Sequence, residues 1–92
     1  MTQRFEWNES KAALNLRRHG VSFEEAAAVF SDPLAYTFED PDHSVGEKRL
    51  LTFGYSHAGR LLAVVHAERS RTIRIISARR ATRHERGIHE QG

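Results

Sequence analysis

The sequence predicts a single α+β domain over residues 1–92, an antiparallel twisted sheet in the order β-α-α-β-β-β-β-α with an αα-hairpin packed on one face. Three observations carry this reading. Two helix-start signals, Asn8 and the pair Ser22 and Glu25, lie on either side of Gly20. β-Branched and aromatic runs between Lys48 and Ala78 are broken only by short turns. A further capping box, Thr82 with Glu85, opens a last short helix.

The elements follow in order. Arg4 to Trp7 alternates polar and apolar residues, a short strand with Phe5 and Trp7 on the core side. Asn8 caps a helix over Glu9–His19, which has an acid in its first turn and cations in its last; Gly20 ends it, and His19 complements the helix dipole. Phe23, Ala26, Ala27 and Phe30 make one apolar face of a second helix, Phe23 to Phe30, stopped by Asp32-Pro33. Leu34 to Phe38 reads as a strand with Tyr36 and Phe38 on one face. An acidic loop, Glu39 to Glu47, leads into Lys48–Tyr55, where Arg49, Leu51, Phe53 and Tyr55 share a face. Arg60–Arg69 carries the apolar run Leu61–Val65 and reads as a central strand covered on both faces; Arg60 itself reads as a turn charge. Thr72–Ala78 is the last strand, and Arg83–His89 the last helix, with Arg83 and Arg86 exposed. All helices are expected on one face of the sheet.

Composition narrows the function classes. Residues 1–46 hold four Lys/Arg against eight Asp/Glu, a balance of −4; residues 47–92 hold ten against four, a balance of +6. Cations grouped in one half, nearly all of them arginine, are the trace of a phosphate-binding face. The chain has no cysteine, which rules out disulfides and zinc–thiolate sites. No apolar run approaches the ~18 residues of a membrane span, so a soluble, cytoplasmic protein that needs no membrane is expected. Asp40, Asp42 and His43 are metal-ligand types, but their spacing matches no recognised ligand pattern, and turn chemistry explains them as well; no metal and no cofactor are expected.

The chemistry concentrates between Glu68 and Arg83, a stretch with six arginines around the β-branched run Thr72–Ile76. Arginine stays charged at any working pH and offers planar bidentate donors that fit a phosphate. If Ser70-Arg71 is a two-residue turn, Arg69 faces Thr72, Glu68 faces Ile73, His66 faces Ile75 and Val64 faces Ser77, and Arg74 shares a face with Arg69 and Ala67. A one-residue change in the turn exchanges the faces, so whether Glu68 and Arg74 share one stays open. Metal-independent RNA cleavage needs a base for the 2′-hydroxyl, cations for the phosphorane and an acid for the leaving 5′-oxygen. Glu68 or Glu47 is the candidate base, Arg49, Arg69, Arg74 and Arg79 the candidate phosphate holders, and His43 or His66 the candidate acid, although His66 in an apolar strand also reads as a core residue.

Three blocks of residues carry a resemblance. The first is Phe5-Glu6-Trp7, Lys11, Asn15-Leu16 and His19 to Ala26. The second is Asp40 to Ser44 with Glu47 and Arg49, and the third is Gly54, Arg60-Leu61-Leu62, Glu68-Arg69, Ile73 to Thr82 and Glu85. Together they resemble the BrnT family of bacterial type II toxins over nearly the whole chain. The resemblance implies a RelE-like fold and an endoribonuclease that arrests growth by cutting cellular RNA. It implies neutralisation by a small BrnA-like ribbon-helix-helix antitoxin, with operator DNA contacted only through the toxin–antitoxin complex. Matched to the family motifs, the site residues are His43, Glu47, Arg49, Glu68, Arg69, Arg74, Arg79 and Arg80, with Arg49, Arg79 and Arg80 binding RNA. The sequence departs from the family pattern at Asn8, where an Asp is usual, and at His89, where the family often ends in a Tyr. The contrasting reading is a non-catalytic module whose basic face binds the antitoxin and assists operator binding; such a face has no need of Glu47, Glu68 or His43.

Overall fold

The computed structural model describes residues 3–40 and 47–91. The elements are β1 (Arg4–Glu6), α1 (Glu9–His19), α2 (Phe23–Ala28) with a 3-10 turn over Val29–Ser31, β2 (Tyr36–Glu39), β3 (Arg49–Tyr55), β4 (Leu61–Arg69), β5 (Thr72–Arg80) and α3 (Arg83–Gln91). The expected order holds, and the fold is α+β. The five strands form one sheet in the order β1-β5-β4-β3-β2. β2 to β5 are an antiparallel meander, whereas β1 pairs with β5 in parallel, Phe5 opposite Ile73. The sheet is therefore mixed rather than wholly antiparallel, and a RelE-like description fits it only loosely. A pairing between strands at opposite ends of the chain leaves no local trace in sequence.

The helix caps form as the side chains dictate. Asn8 accepts from the Lys11 N–H (3.0 Å), and Gly20 takes a φ of 68°, a left-handed value that costs glycine little. Ser22 accepts from the Glu25 N–H (2.9 Å), but the Glu25 carboxylate does not return to Ser22. It accepts instead from Ser56 Oγ (2.7 Å) and from Nε and Nη2 of Arg60, whose Nη2 also donates to the Gly20 carbonyl (2.9 Å). Arg60 is thus a clamp between the αα-hairpin and the β3–β4 turn rather than a turn charge. Arg60 also holds the Glu25 carboxyl below its usual range.

The helix-facing side of the sheet makes the core. Val21, Phe23, Ala26 and Val29 meet Leu62, Val64, Ile73, Ile75 and Ala78, all buried, with Phe5 and Trp7 packed against them. Gly54 also lies on this side, where a Cβ would stand 2.7 Å from Val29 Cγ1. The buried side chain of α1 is Asn15, not a leucine. Asn15 Nδ2 donates to the carbonyls of Val21 (3.0 Å) and Ala78 (2.7 Å), and its Oδ1 accepts from the Ala78 N–H (3.1 Å). β1 ends opposite Arg74, so Asn15 serves the edge of β5 beyond it, as a strand would.

The β4–β5 hairpin turns at Ser70-Arg71, and its register follows that two-residue turn from Arg69↔Thr72 to His66↔Ile75. The next pair is Val65↔Ser77, not Val64↔Ser77, because Ile76 is an extra residue in a bulge. The bulge reverses the alternation of β5. Ala78 stays on the core side with Ile75, while Arg79 moves to the same face as Arg74, five residues earlier in the chain.

α3 is not with the other helices. Its His89 ring packs 5.8 Å from Tyr55, and Glu85 pairs with Arg79, both on the face of the sheet opposite α1 and α2. The helices therefore cover both faces, because the bulge turns β5 before it runs into α3. Among the described residues no helix is long and apolar enough to cross a membrane.

Candidate active site on the second sheet face

The second face is ordered in cross-strand rows. Tyr36, Phe53, Ala63 and Arg79 form one row; Phe38, Leu51, Val65 and Ser77 the next; Arg49, Ala67 and Arg74 the third. Residues opposite one another in adjacent strands point to the same side. One end of this face is therefore aromatic and the other cationic.

At the cationic end Glu47, just before β3, reaches across to β4 and β5. Its Oε2 lies 3.3 Å from Arg69 Nη2 and its Oε1 3.9 Å from Arg74 Nη1. Arg49 stands two strands from Arg74 in the same row, with the buried Ala67 between them. The Asp40 N–H donates to the Arg49 carbonyl (2.9 Å) and pins both ends of the loop that carries Glu47. The result is a half-buried carboxylate bracketed by two guanidiniums on a rigid sheet.

Arg79 is committed elsewhere. Its guanidinium holds Glu85 through two hydrogen bonds of 2.8 and 3.0 Å. Glu85 also accepts from the Thr82 N–H (2.8 Å), and the Glu85 N–H donates to Thr82 Oγ1 (3.1 Å), completing the capping box. Arg79 holds the Glu85 carboxyl down to about 2. Arg79 thereby fastens α3 to the sheet.

Two nominated residues lie on the other face. Glu68 stands opposite the core residue Ile73, with its Oε2 3.6 Å from Nδ1 of His66. Arg80 follows the phase of Ala78 and helps lower the Glu25 carboxyl. Neither shares the cluster of Glu47, Arg69 and Arg74. His43 and Asp42 lie outside the described residues; among the described residues no three His, Cys, Asp or Glu gather as a metal site.

His66 is a core residue. It is fully buried, with its ring edge-on to Phe30 and Nε2 2.7 Å from Thr52 Oγ1, which in turn lies 2.8 Å from Thr37 Oγ1. Nδ1 has no hydrogen-bond partner. The nearby Glu68 favours protonation and burial opposes it. Burial wins, lowering the imidazole to about 4, because Glu68 is half exposed and beyond hydrogen-bond reach. A neutral ring of this kind is no proton donor at neutral pH.

Sequence reasoning missed the aromatic end. Tyr36, Phe38, Phe53, Glu85, Ile88 and His89 line a cavity of about 370 Å³ between β2, β3 and α3. The shared phase of Arg49, Leu51, Phe53 and Tyr55 is the signal that pointed to it, but the side on which α3 packs has no such signal.

Residues 7–85 match the protein-family model described as the ribonuclease toxin BrnT of type II toxin–antitoxin systems. The chain belongs to the BrnT family. The matched span holds Glu47, Arg49, Arg69 and Arg74 and the cavity residues Tyr36, Phe38, Phe53 and Glu85, while Ile88 and His89 of α3 lie beyond it. The 1.1 Å crystal structure of the Brucella abortus ribonuclease toxin BrnT superposes with a TM-score of 0.69 at 24% identity, over 89% of this chain and 100% of that one. That likeness shows the shared fold. No curated protein sequence matches this one. As a BrnT-family member the chain is a ribonuclease toxin of a type II system, which implies an RNA substrate and an antitoxin partner.

Proposed function

We propose that the chain is an endoribonuclease that cuts RNA without a metal ion, by attack of a ribose 2′-hydroxyl on the adjacent phosphorus. The observation that carries this reading is the Glu47 carboxylate held between Arg69 and Arg74. Glu47 accepts the 2′-hydroxyl proton as the O2′–P bond forms. Arg69 and Arg74 turn from Glu47 to the nonbridging oxygens, and Arg49, in the same row as Arg74, adds to the charge that stabilises the phosphorane. The P–O5′ bond breaks, leaving a 2′,3′-cyclic phosphate and a 5′-hydroxyl. His43, four residues before Glu47 in the chain, is the proposed donor of the proton to O5′. Glu68 and Arg80, nominated by the family motifs, take no part in this scheme.

The same reading places the toxin in the cytoplasm under a BrnA-like ribbon-helix-helix antitoxin that covers the cationic face, with operator DNA met only through the complex. The test is cleavage of a defined RNA by purified chain in EDTA. Cyclic-phosphate ends formed in EDTA are the expected result. Loss of cleavage in EDTA with recovery on adding a divalent cation overturns the metal-free mechanism, and absence of cleavage in both conditions overturns the enzyme reading.

A further inference from the structure

We infer that the aromatic cavity between β2, β3 and α3 is a nucleobase subsite for single-stranded RNA beside the cleavage cluster. This deepens the proposed function and rests on it. Tyr36 and Phe38, side by side on an edge strand, are stacked with ring centroids 5.5 Å apart and planes only 19° from parallel. They stay 57% and 50% exposed, and Phe53 meets Phe38 edge-on behind them. Ile88 of α3 forms the opposite wall, itself exposed, and Glu85 and His89 add polar groups.

The occupant follows from what lies beside this cavity. A nucleobase is a flat π-surface tied to an anionic backbone, so its site needs an aromatic platform with cations nearby. Both occur on one sheet face here. Phe53 and Arg49 lie four residues apart on β3, about 13 Å, and Arg74 stands in the row of Arg49. One short stretch of single strand reaches from the platform to Glu47, Arg69 and Arg74. The exposed rings at the mouth offer flat faces for base stacking, and the arginine row on the same sheet face supplies the charge that a nucleotide's phosphate needs. The Arg79–Glu85 pair fastens the α3 wall of the cavity to the strand that bears Arg74. The position of a base in the cavity is thus tied to the position of its phosphate at the cluster.

The test is a comparison of wild type with Phe38→Ala and Phe38→Tyr. Steady-state cleavage of short oligoribonucleotides and fluorescence-anisotropy binding of a 5′-labelled, 2′-deoxy oligonucleotide are measured for each. Melting curves establish that the variants are folded. Phe38→Ala is expected to raise KM and the dissociation constant about tenfold or more, with kcat held within a few-fold, and to change the distribution of cleavage sites. Phe38→Tyr, which keeps the ring, restores wild-type values. Unchanged KM, affinity and cleavage sites in folded Phe38→Ala overturn the subsite while leaving the ribonuclease reading intact. If no RNA is cut by wild type, the mechanism fails and the binding arm alone judges the subsite. A Phe38→Ala variant that loses antitoxin binding but keeps its RNA affinity assigns the cavity to the protein partner and overturns the inference.

Discussion

The Asn15 amide and the Ala78 peptide exchange two hydrogen bonds, one in each direction, across the edge of the sheet. Ala78 stands just beyond the bulge at Ile76, so Asn15 holds β5 in the phase that brings Arg79 to the face of Arg74. Asn15→Ala leaves the Ala78 N–H and two carbonyls without partners inside the protein. A loss of about 3 kcal/mol of stability is expected from urea unfolding. A change below about 1 kcal/mol means that the edge is closed by other groups.

Stability should erode in two stages as the pH falls. His66 titrates near its usual 6.5 when unfolded but near 4 in the fold, so the unfolded chain binds its proton first. Stability from this source is complete above 6.5 and lost toward 4. Glu85 has the opposite role with the same sign: its carboxyl is lowered from 4.5 to about 2 by Arg79, and its contribution is lost over that lower window. Urea midpoints measured from pH 8 to pH 2 should show both limbs. His66→Gln, which keeps a partner for Thr52, should remove the upper limb alone; persistence of that limb assigns it to another group.

Gly54 sits where the 3-10 turn presses on the sheet. An alanine methyl meets Val29 Cγ1 at 2.7 Å and Ala35 Cβ at 3.1 Å. Gly54→Ala is expected to cost about 1–3 kcal/mol through overpacking. Val29→Ala in the same chain should recover part of that cost, so the double variant should be more stable than the sum of the single effects predicts. Strict additivity in thermal melts places the strain elsewhere.

The two glutamates separate the site from its mirror on the other face. Glu47→Gln is expected to lower kcat for RNA by about a hundredfold or more. Glu68→Gln and Arg80→Ala, on the side of the sheet that α1 and α2 cover, should stay within about threefold of wild type, below the scale of a lost catalytic base. A Glu68→Gln variant as inactive as Glu47→Gln returns the proton transfer to Glu68. Matched circular dichroism spectra separate chemistry from folding.

Much of the fold is legible in the chain because its signals are local. Asn8, Gly20, Ser22 and Thr82 act within a few residues, and the helices begin or end where they act; α2 gives way to a 3-10 turn after Ala28, earlier than the expected Phe30, and it is that turn which stops before Asp32-Pro33. The alternation in β3 groups Arg49 with Leu51 and Phe53, and a two-residue turn at Ser70-Arg71 groups Arg69 with Arg74; the observed registers make that turn length the true one and bring both groups to one face. The functional family is legible too, because whole blocks of residues carry it.

What the chain does not display is set by contacts between distant parts. The parallel seat of β1, the Arg60 clamp on Glu25 and the Asn15 support of Ala78 each join residues far apart in sequence, and no periodicity encodes them. The bulge at Ile76 is the sharpest case. One extra residue moves Arg79 and α3 to the face of Glu47 and leaves Arg80 on the other. Strand alternation is a period of two, so a single bulge inverts every assignment after it. Packing of Ala78 against the core and Asn15 selects that bulge, and with it which arginines meet the carboxylate.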